Sequence, residues 1–239
     1  MRAMFLEART FNNGGNSSIN NWNTGAVTNM ESMFAGPNGG TTDFNQNIGS
    51  WNTAAVTNMG GMFSYARNFN QNIGSWNTGA VTNMGNMFLG AINFDQNIGS
   101  WNTGAVTSMY QMFMFAYAFN NGGSGSINNW NTSSVTDMTR MFSYARAFNQ
   151  NIGSWNTVSV TSMSEMFFVA TAFNQNISSW NTAAVTSLSS MFFGATAFNQ
   201  NIGAFTLKPG VFMNSMLNNS GMDCSNYSAT LMGWSANPS

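Results

Sequence analysis

The sequence predicts an α/β repeat solenoid with one short strand and one short helix in each 25-residue coil. Three observations carry that expectation. Tryptophans recur at a fixed spacing, the same apolar columns return in every unit, and the hydrophobic period within a unit changes from extended to helical. The prototype is the stretch from Phe69 to Asn93, FNQNIGSWNTGAVTNMGNMFLGAIN, which recurs along most of the chain.

Trp51, Trp76 and Trp101 are 25 residues apart, as are Trp130, Trp155 and Trp180, and Phe205 falls 25 after Trp180. The intervals Trp22 to Trp51 and Trp101 to Trp130 are each 29 residues, so each holds a four-residue insertion. The insertions are rich in glycine and asparagine (Gly36 to Gly40, and Asn121 to Gly125), and Asn13-Gly14-Gly15 takes the matching place in the first unit. They read as loops bulging from one edge of a coil. Apolar columns run through Phe69, Phe94 and Phe119, through Ile73, Ile98 and Ile127, through Val81, Val106 and Val135, and through the pairs Met87-Phe88 and Met112-Phe113. One coil cannot enclose such side chains, but stacked coils bury each column against its own copies.

Within a unit, Val81, Met84, Met87, Phe88 and Ala91 share one face of a short helix. Thr82, Asn83, Gly85 and Asn86 are poor helix formers, so packing has to hold that helix and part of it is expected as 3₁₀. Asn-Gln-Asn-Ile reads as the short strand, and Gly74-Ser75 as a corner. Residues 1–217 therefore form the solenoid, and 218–239 a C-terminal cap in which 226–234 is a short amphipathic helix with Tyr227, Leu231 and Trp234 on one face. The chain opens in the middle of a unit, which reads as a fragment, a processed product or an assembly subunit.

Lys and Arg number 6 against 7 Asp and Glu, for a net charge of −1, so no basic nucleic-acid footprint is expected. No apolar run is long enough for a membrane span. Regularly placed Trp, Phe, Met and Ile argue against disorder despite the polar, uncharged remainder.

The unit MFxxAxxFNQNIGSWNTxxVTxM resembles the repeat of the BspA-like, leucine-rich-repeat-type surface proteins, a family also called DUF285 or mycoplasma-lipoprotein-type repeats, over residues 1–217. NYSATLMGW, residues 226–234, is similar to the segment that closes many such arrays. The resemblance implies a right-handed, leucine-rich-repeat-like solenoid, an extracellular location and adhesion, and it supplies no catalytic residues. This chain has Asn where Asp is common in the repeat, which removes acidic ladders and any surface calcium site built on them.

The chain has no histidine, and its carboxylates are spread over different units, so no enzyme, cofactor or metal is expected. Asp137 and Arg140 read as a surface pair on one helix, and Cys224 as a buried small residue of the cap. Methionines and tryptophans read as core. Thr53, Thr78 and Thr103 are expected in turns, and Thr57, Thr82 and Thr107 as helix caps. Of the two amide columns, Gln71 with its copies and Asn72 with its copies, one should form an internal ladder and the other face solvent. The candidate binding face is Gln46, Gln71, Gln96, Gln150, Gln175 and Gln200, and the candidate assembly end is Met1, Met4 and Phe5. The expected function is a non-enzymatic surface or adhesion scaffold binding a protein or glycan. The alternative is a subunit that joins copies of itself end to end in an extracellular filament.

Overall fold

The computed structural model describes residues 1–37 and 40–236. A row of parallel bridges ties each coil to the next, from Asn29–Asn58 through Asn58–Asn83, Asn83–Ser108 and Ser108–Asp137 to Ser187–Phe212. On either side of a bridge the backbone continues the tie. The Thr82 N–H donates to the Thr57 carbonyl at 2.9 Å, Asn86 to Tyr110 at 2.8 Å, Phe88 to Met112 at 2.9 Å and Gly90 to Met114 at 2.7 Å. The intervening N–H groups fold back within their own coil, Met87 to Met84, Leu89 to Asn86 and Ala91 to Phe88.

The segment from Val81 to Ala91, expected as a helix, is thus a run of overlapping turns that begins at the parallel bridge. The Asn-Gln-Asn-Ile limb, expected as the strand, carries neither strand nor bridge. The physical reason lies in the use of the N–H groups. An α-helix would direct them all to its own i−4 carbonyls and leave none to tie neighbouring coils. Three-residue turns consume only every second one. Left-handed residues at every fourth position enforce the pattern: Asn86 (φ 59°) and Gly90 (φ 67°), Arg140 (φ 57°) and Tyr144 (φ 60°). The buried set Met84, Met87, Phe88 and Ala91 keeps the spacing of a helix face, which is why turns and helix leave the same apolar signature.

The remaining columns close the core. Phe88 stacks on Phe94 of its own coil with ring centroids 4.0 Å apart, and on Phe113 of the next at 5.5 Å. The tryptophans form a parallel stack, Trp76 to Trp101 at 6.5 Å and 3° between planes. From Trp51 to Trp180 each ladder indole is buried and donates to an isoleucine carbonyl one coil back, as Trp101 Nε1 does to Ile73 at 3.1 Å. That carbonyl also accepts the Trp76 N–H at 3.1 Å, so both its lone pairs are used inside the stack. Buried Thr78 donates its hydroxyl to the Asn102 carbonyl of the next coil at 2.9 Å, and Thr53 does the same to Asn77. The tryptophans from Trp51 to Trp180 and the methionines of the repeat columns from Met30 to Met191 are core residues, as expected.

Two of the insertions form 3₁₀ turns, Asn13–Gly15 followed by Ser17–Asn21, and Asn121–Gly123 followed by Gly125–Asn129. The third, Gly36 to Gly40, includes 38–39, which lie outside the described residues.

Helix α1, Cys224–Ala236, ends the stack by reproducing the contacts of a coil with a different backbone. Gln200 donates its amide to the Asn174 carbonyl and side-chain oxygen, and Asn226 does the same to Asn199. Trp234 Nε1 donates to Ile202 at 3.0 Å, as the ladder tryptophans do to their isoleucines. Thr230, fully buried between them, accepts the Ile202 N–H. The inward face is therefore Asn226, Thr230 and Trp234. Tyr227 and Leu231, expected on that face beside Trp234, are each 45% exposed, and Cys224 is exposed rather than buried. Four-residue spacing along a helix matches this contact row, and hydrogen bonding rather than apolarity sets which side faces in. Asp223 caps α1 by accepting the Asn226 N–H at 2.8 Å, and its other oxygen accepts the Asn199 amide at 2.8 Å.

Phe88→Ala should cost about 3–5 kcal/mol, because the coils on either side cannot collapse onto the cavity without breaking their ladders. Urea denaturation monitored by tryptophan fluorescence reads that loss. The bonds from Asn226 and Asn199 hold the Asp223 carboxyl below its ordinary value. Its contribution is accordingly present above the ordinary carboxylate range and lost as pH falls through the depressed value. Asp223→Asn should lower the melting temperature at about pH 7, with the gap to the parent narrowing as pH falls below the ordinary carboxylate range.

Candidate functional site

The amide limb spends its side chains on the neighbouring coil. Gln71 donates to the backbone and side-chain oxygens of Asn45 at 3.1 and 3.0 Å, and Gln96, Gln175 and Gln200 repeat this toward Asn70, Asn149 and Asn174. Gln46, Gln71, Gln96, Gln150, Gln175 and Gln200 are all half-buried, so the glutamine column is the internal ladder of the pair. The solvent-facing column is Asn47, Asn72, Asn97, Asn151, Asn176 and Asn201. Even there the carbonyl oxygen is occupied, since Asn72 Oδ1 accepts the Gly74 N–H at 3.0 Å in a local turn. The threonine column beside the bridges is exposed, but Thr82 Oγ1 donates to the Thr57 carbonyl at 3.2 Å and Thr107 Oγ1 to Thr82 at 3.2 Å. These hydroxyls tie coils together; there is no helix for them to cap.

Residues 1–8 lay a turn limb on the next coil, with Ala3 bonded to Glu31, Phe5 to Met33 and Glu7 to Ala35. Phe5 stacks between Phe11 at 3.8 Å and Phe34 at 5.6 Å, Met1 is half-buried, and Met4 is 54% exposed.

The outer side of the turn limb is built differently. Its coil-to-coil ties are made mainly by backbone, joined by side-chain ties that change from coil to coil, such as Asn83 Nδ2 to Asn58 Oδ1 and Thr139 to Ser162, and its residue types change with them. One column reads Gly60, Gly85, Tyr110, Thr139, Ser164, Ser189, and another Ser64, Leu89, Met114, Ser143, Phe168, Phe193, in which Ser64 and Ser143 are buried and Phe168 and Phe193 half-buried. The threonine column reads Thr57, Thr82, Thr107, Thr136, Thr161, Thr186 with no change. Arg140 here forms a two-point pair with Glu165 of the next coil at 2.9 and 2.7 Å, not the pair with Asp137 expected along one helix. Asp137 instead accepts the Thr139 N–H. The hydrogen bond that Arg140 donates to Glu165 raises the Arg140 pKa, outweighing its partial burial.

An aromatic stripe runs along this side. Phe115 meets Tyr117 edge-on at 6.4 Å and Tyr144 at 4.8 Å; Tyr144 continues to Phe168 at 5.4 Å, and Phe168 to Phe193 at 5.0 Å. The Arg146 guanidinium lies over the Tyr117 ring, 4.9 Å from its centroid. At the head of the stripe is an open cleft of about 300 Å³ lined by Tyr65, Arg67, Gly90, Ile92, Phe115 and Tyr117. Gly90 forms its floor with a left-handed backbone, and a Cβ there would come within 2.8 Å of the Tyr65 ring. The sequence signal for this patch is the pentapeptide Phe-Ser-Tyr-Ala-Arg, present at 63–67 and again at 142–146. Column periodicity passes over it because it does not recur in every unit.

Among the described residues, no group of three or more His, Cys, Asp or Glu side chains is placed to hold a metal, and no helix is long and apolar enough to cross a membrane. No curated protein and no solved structure matches the chain. The profile of the family described as "Mycoplasma protein of unknown function, DUF285" matches residues 1–73, 37–125 and 122–230. Those segments together take in every coil and most of the cap, and the chain belongs to the DUF285 repeat family.

Proposed function

We propose that the chain is a non-enzymatic scaffold of an extracellular surface that works in adhesion, a leucine-rich-repeat-like solenoid in which overlapping turns stand where a helix was expected. One observation carries the reading: the division between a limb whose side chains are consumed by the fold and a limb whose side chains are not. The Gln71, Thr78 and Trp76 columns each bond to a neighbouring coil, so a change there breaks a tie. The turn limb holds its coils mainly by backbone, and its outward residue types change from coil to coil while the backbone ties stay in register. It presents half-exposed rings and an arginine, the residue types that concentrate binding energy at protein surfaces. A continuous core through the coils also makes the array stiff, which suits a surface that must meet its ligand over several coils at once.

The reading moves the working face from the glutamine column to the turn limb. Beads coated with the full chain should be retained on cultured epithelial cells above an albumin-coated control. The double variant Phe168→Ser with Phe193→Ser should lower retention at least about fivefold, given that a few aromatic anchors dominate such contacts. Asn72→Ser with Asn176→Ser should leave retention unchanged. Retention no greater than that of albumin, or equal loss in both double variants at matched melting temperature, would sink the assignment of this face.

A further inference from the structure

We infer that the cleft between Tyr65 and Phe115 is a subsite for one carboxylated sugar residue of a glycan chain. The inference rests on the scaffold reading and names the chemistry its turn limb would recognise.

Size comes first. At about 300 Å³ the cleft stands at the small end of ligand sites, roughly 300–1,000 Å³, so it suits a single ring. Its walls are rings from coils on either side of Gly90, and the absence of a side chain at Gly90 keeps the space between them open. Tyr117 is 38% exposed, and Phe115 stands at 87° to it, so the two make an aromatic corner. A pyranose has a face of axial C–H bonds whose partial positive charge is attracted to the negative face of an aromatic ring.

Charge sets the second requirement. Arg67 lines the cleft and Arg146 reaches over Tyr117, and neither has a carboxylate partner among the described residues, whose ion pairs are Arg2–Glu31 and Arg140–Glu165. In a chain with so few charges, one guanidinium lining the cleft and a second over its Tyr117 ring, neither facing a carboxylate among the described residues, favour a planar anion, and a carboxylate meets the guanidinium fork at two points.

The backbone decides between a sugar and a peptide. The N–H groups of Gly90, Phe115 and Ala118 already donate to Met114, Ser143 and Ile92. That leaves fewer backbone donors for an extended peptide to pair with, whereas a sugar needs only ring faces and the guanidinium.

Calorimetric titration of the full chain with a tetrasaccharide of alternating glucuronate and N-acetylglucosamine tests the assignment. Binding is expected with a Kd below about 1 mM, as befits a single subsite. The same tetrasaccharide with its carboxyl groups reduced to alcohols should bind at least about tenfold more weakly, and Tyr117→Ala and Arg67→Gln should each cost a similar factor. Both side chains lie outside the buried core, so melting temperatures should match the parent. No saturable binding by about 10 mM overturns the inference. So does equal binding of the reduced sugar, or variants that bind like the parent. Tighter binding of a short acidic tyrosine-containing peptide makes the cleft a peptide site and also overturns it. Retention of coated beads on cells without tetrasaccharide binding removes the subsite and leaves the scaffold. Tetrasaccharide binding without bead retention does the reverse.

Discussion

The structure depends on how the turn limb divides its N–H groups. Every second one leaves its own coil for the next, and the rest close local turns. That division keeps successive coils in register, since the bridges join equivalent positions of adjacent coils, as Asn83 and Ser108, and the N–H ties that follow reach the residue before the equivalent one, as Phe88 to Met112. Once the backbone is in register, like side chains fall over like. Phenylalanine stacks on phenylalanine, indole on indole, and each indole N–H meets the isoleucine carbonyl of the coil before. The core is therefore a consequence of the ladder as much as a cause of it.

The cap shows that the stack recognises contacts rather than backbone shape. Helix α1 has no turn ladder, yet Asn226, Thr230 and Trp234 meet the last coil with the bonds that a glutamine and a tryptophan of the repeat would make. A helix places every fourth residue on one face about 6 Å apart, and that row spans the same donors and acceptors. Because polar contacts set its orientation, the rings and aliphatic groups of Tyr227, Leu231 and Met232 are left facing out.

The two limbs of the coil consequently have different freedoms. Where side chains make the ties, as with Gln96, Thr103 and Trp101, the residue type repeats from coil to coil. Where backbone makes most of them, residue type drifts, and the drift has assembled Tyr65, Phe115, Tyr117 and Arg67 around one cleft, with Arg146 over the Tyr117 ring.

Periodicity alone determined the coil length, the positions of the insertions and the buried columns, because stacking requires identical residues at identical places. Met84, Met87, Phe88 and Ala91 are buried as their spacing implies. Their conformation was decided only by the tertiary structure. The 3–1–3 spacing serves a helix and a pair of overlapping turns equally, and the choice between them turns on hydrogen bonds to a neighbouring coil that no local pattern records. The same holds for the amides. Gln71 and Asn72 look alike in sequence, and it took the placement of Asn45 one coil away to send the first inward and leave the second in solvent. The aromatic cleft was the least legible feature, since its residues occupy two repeat positions, Tyr65, Gly90, Phe115 and Arg67, Ile92, Tyr117, whose residue type changes in each coil; only stacking shows that these positions meet in one place.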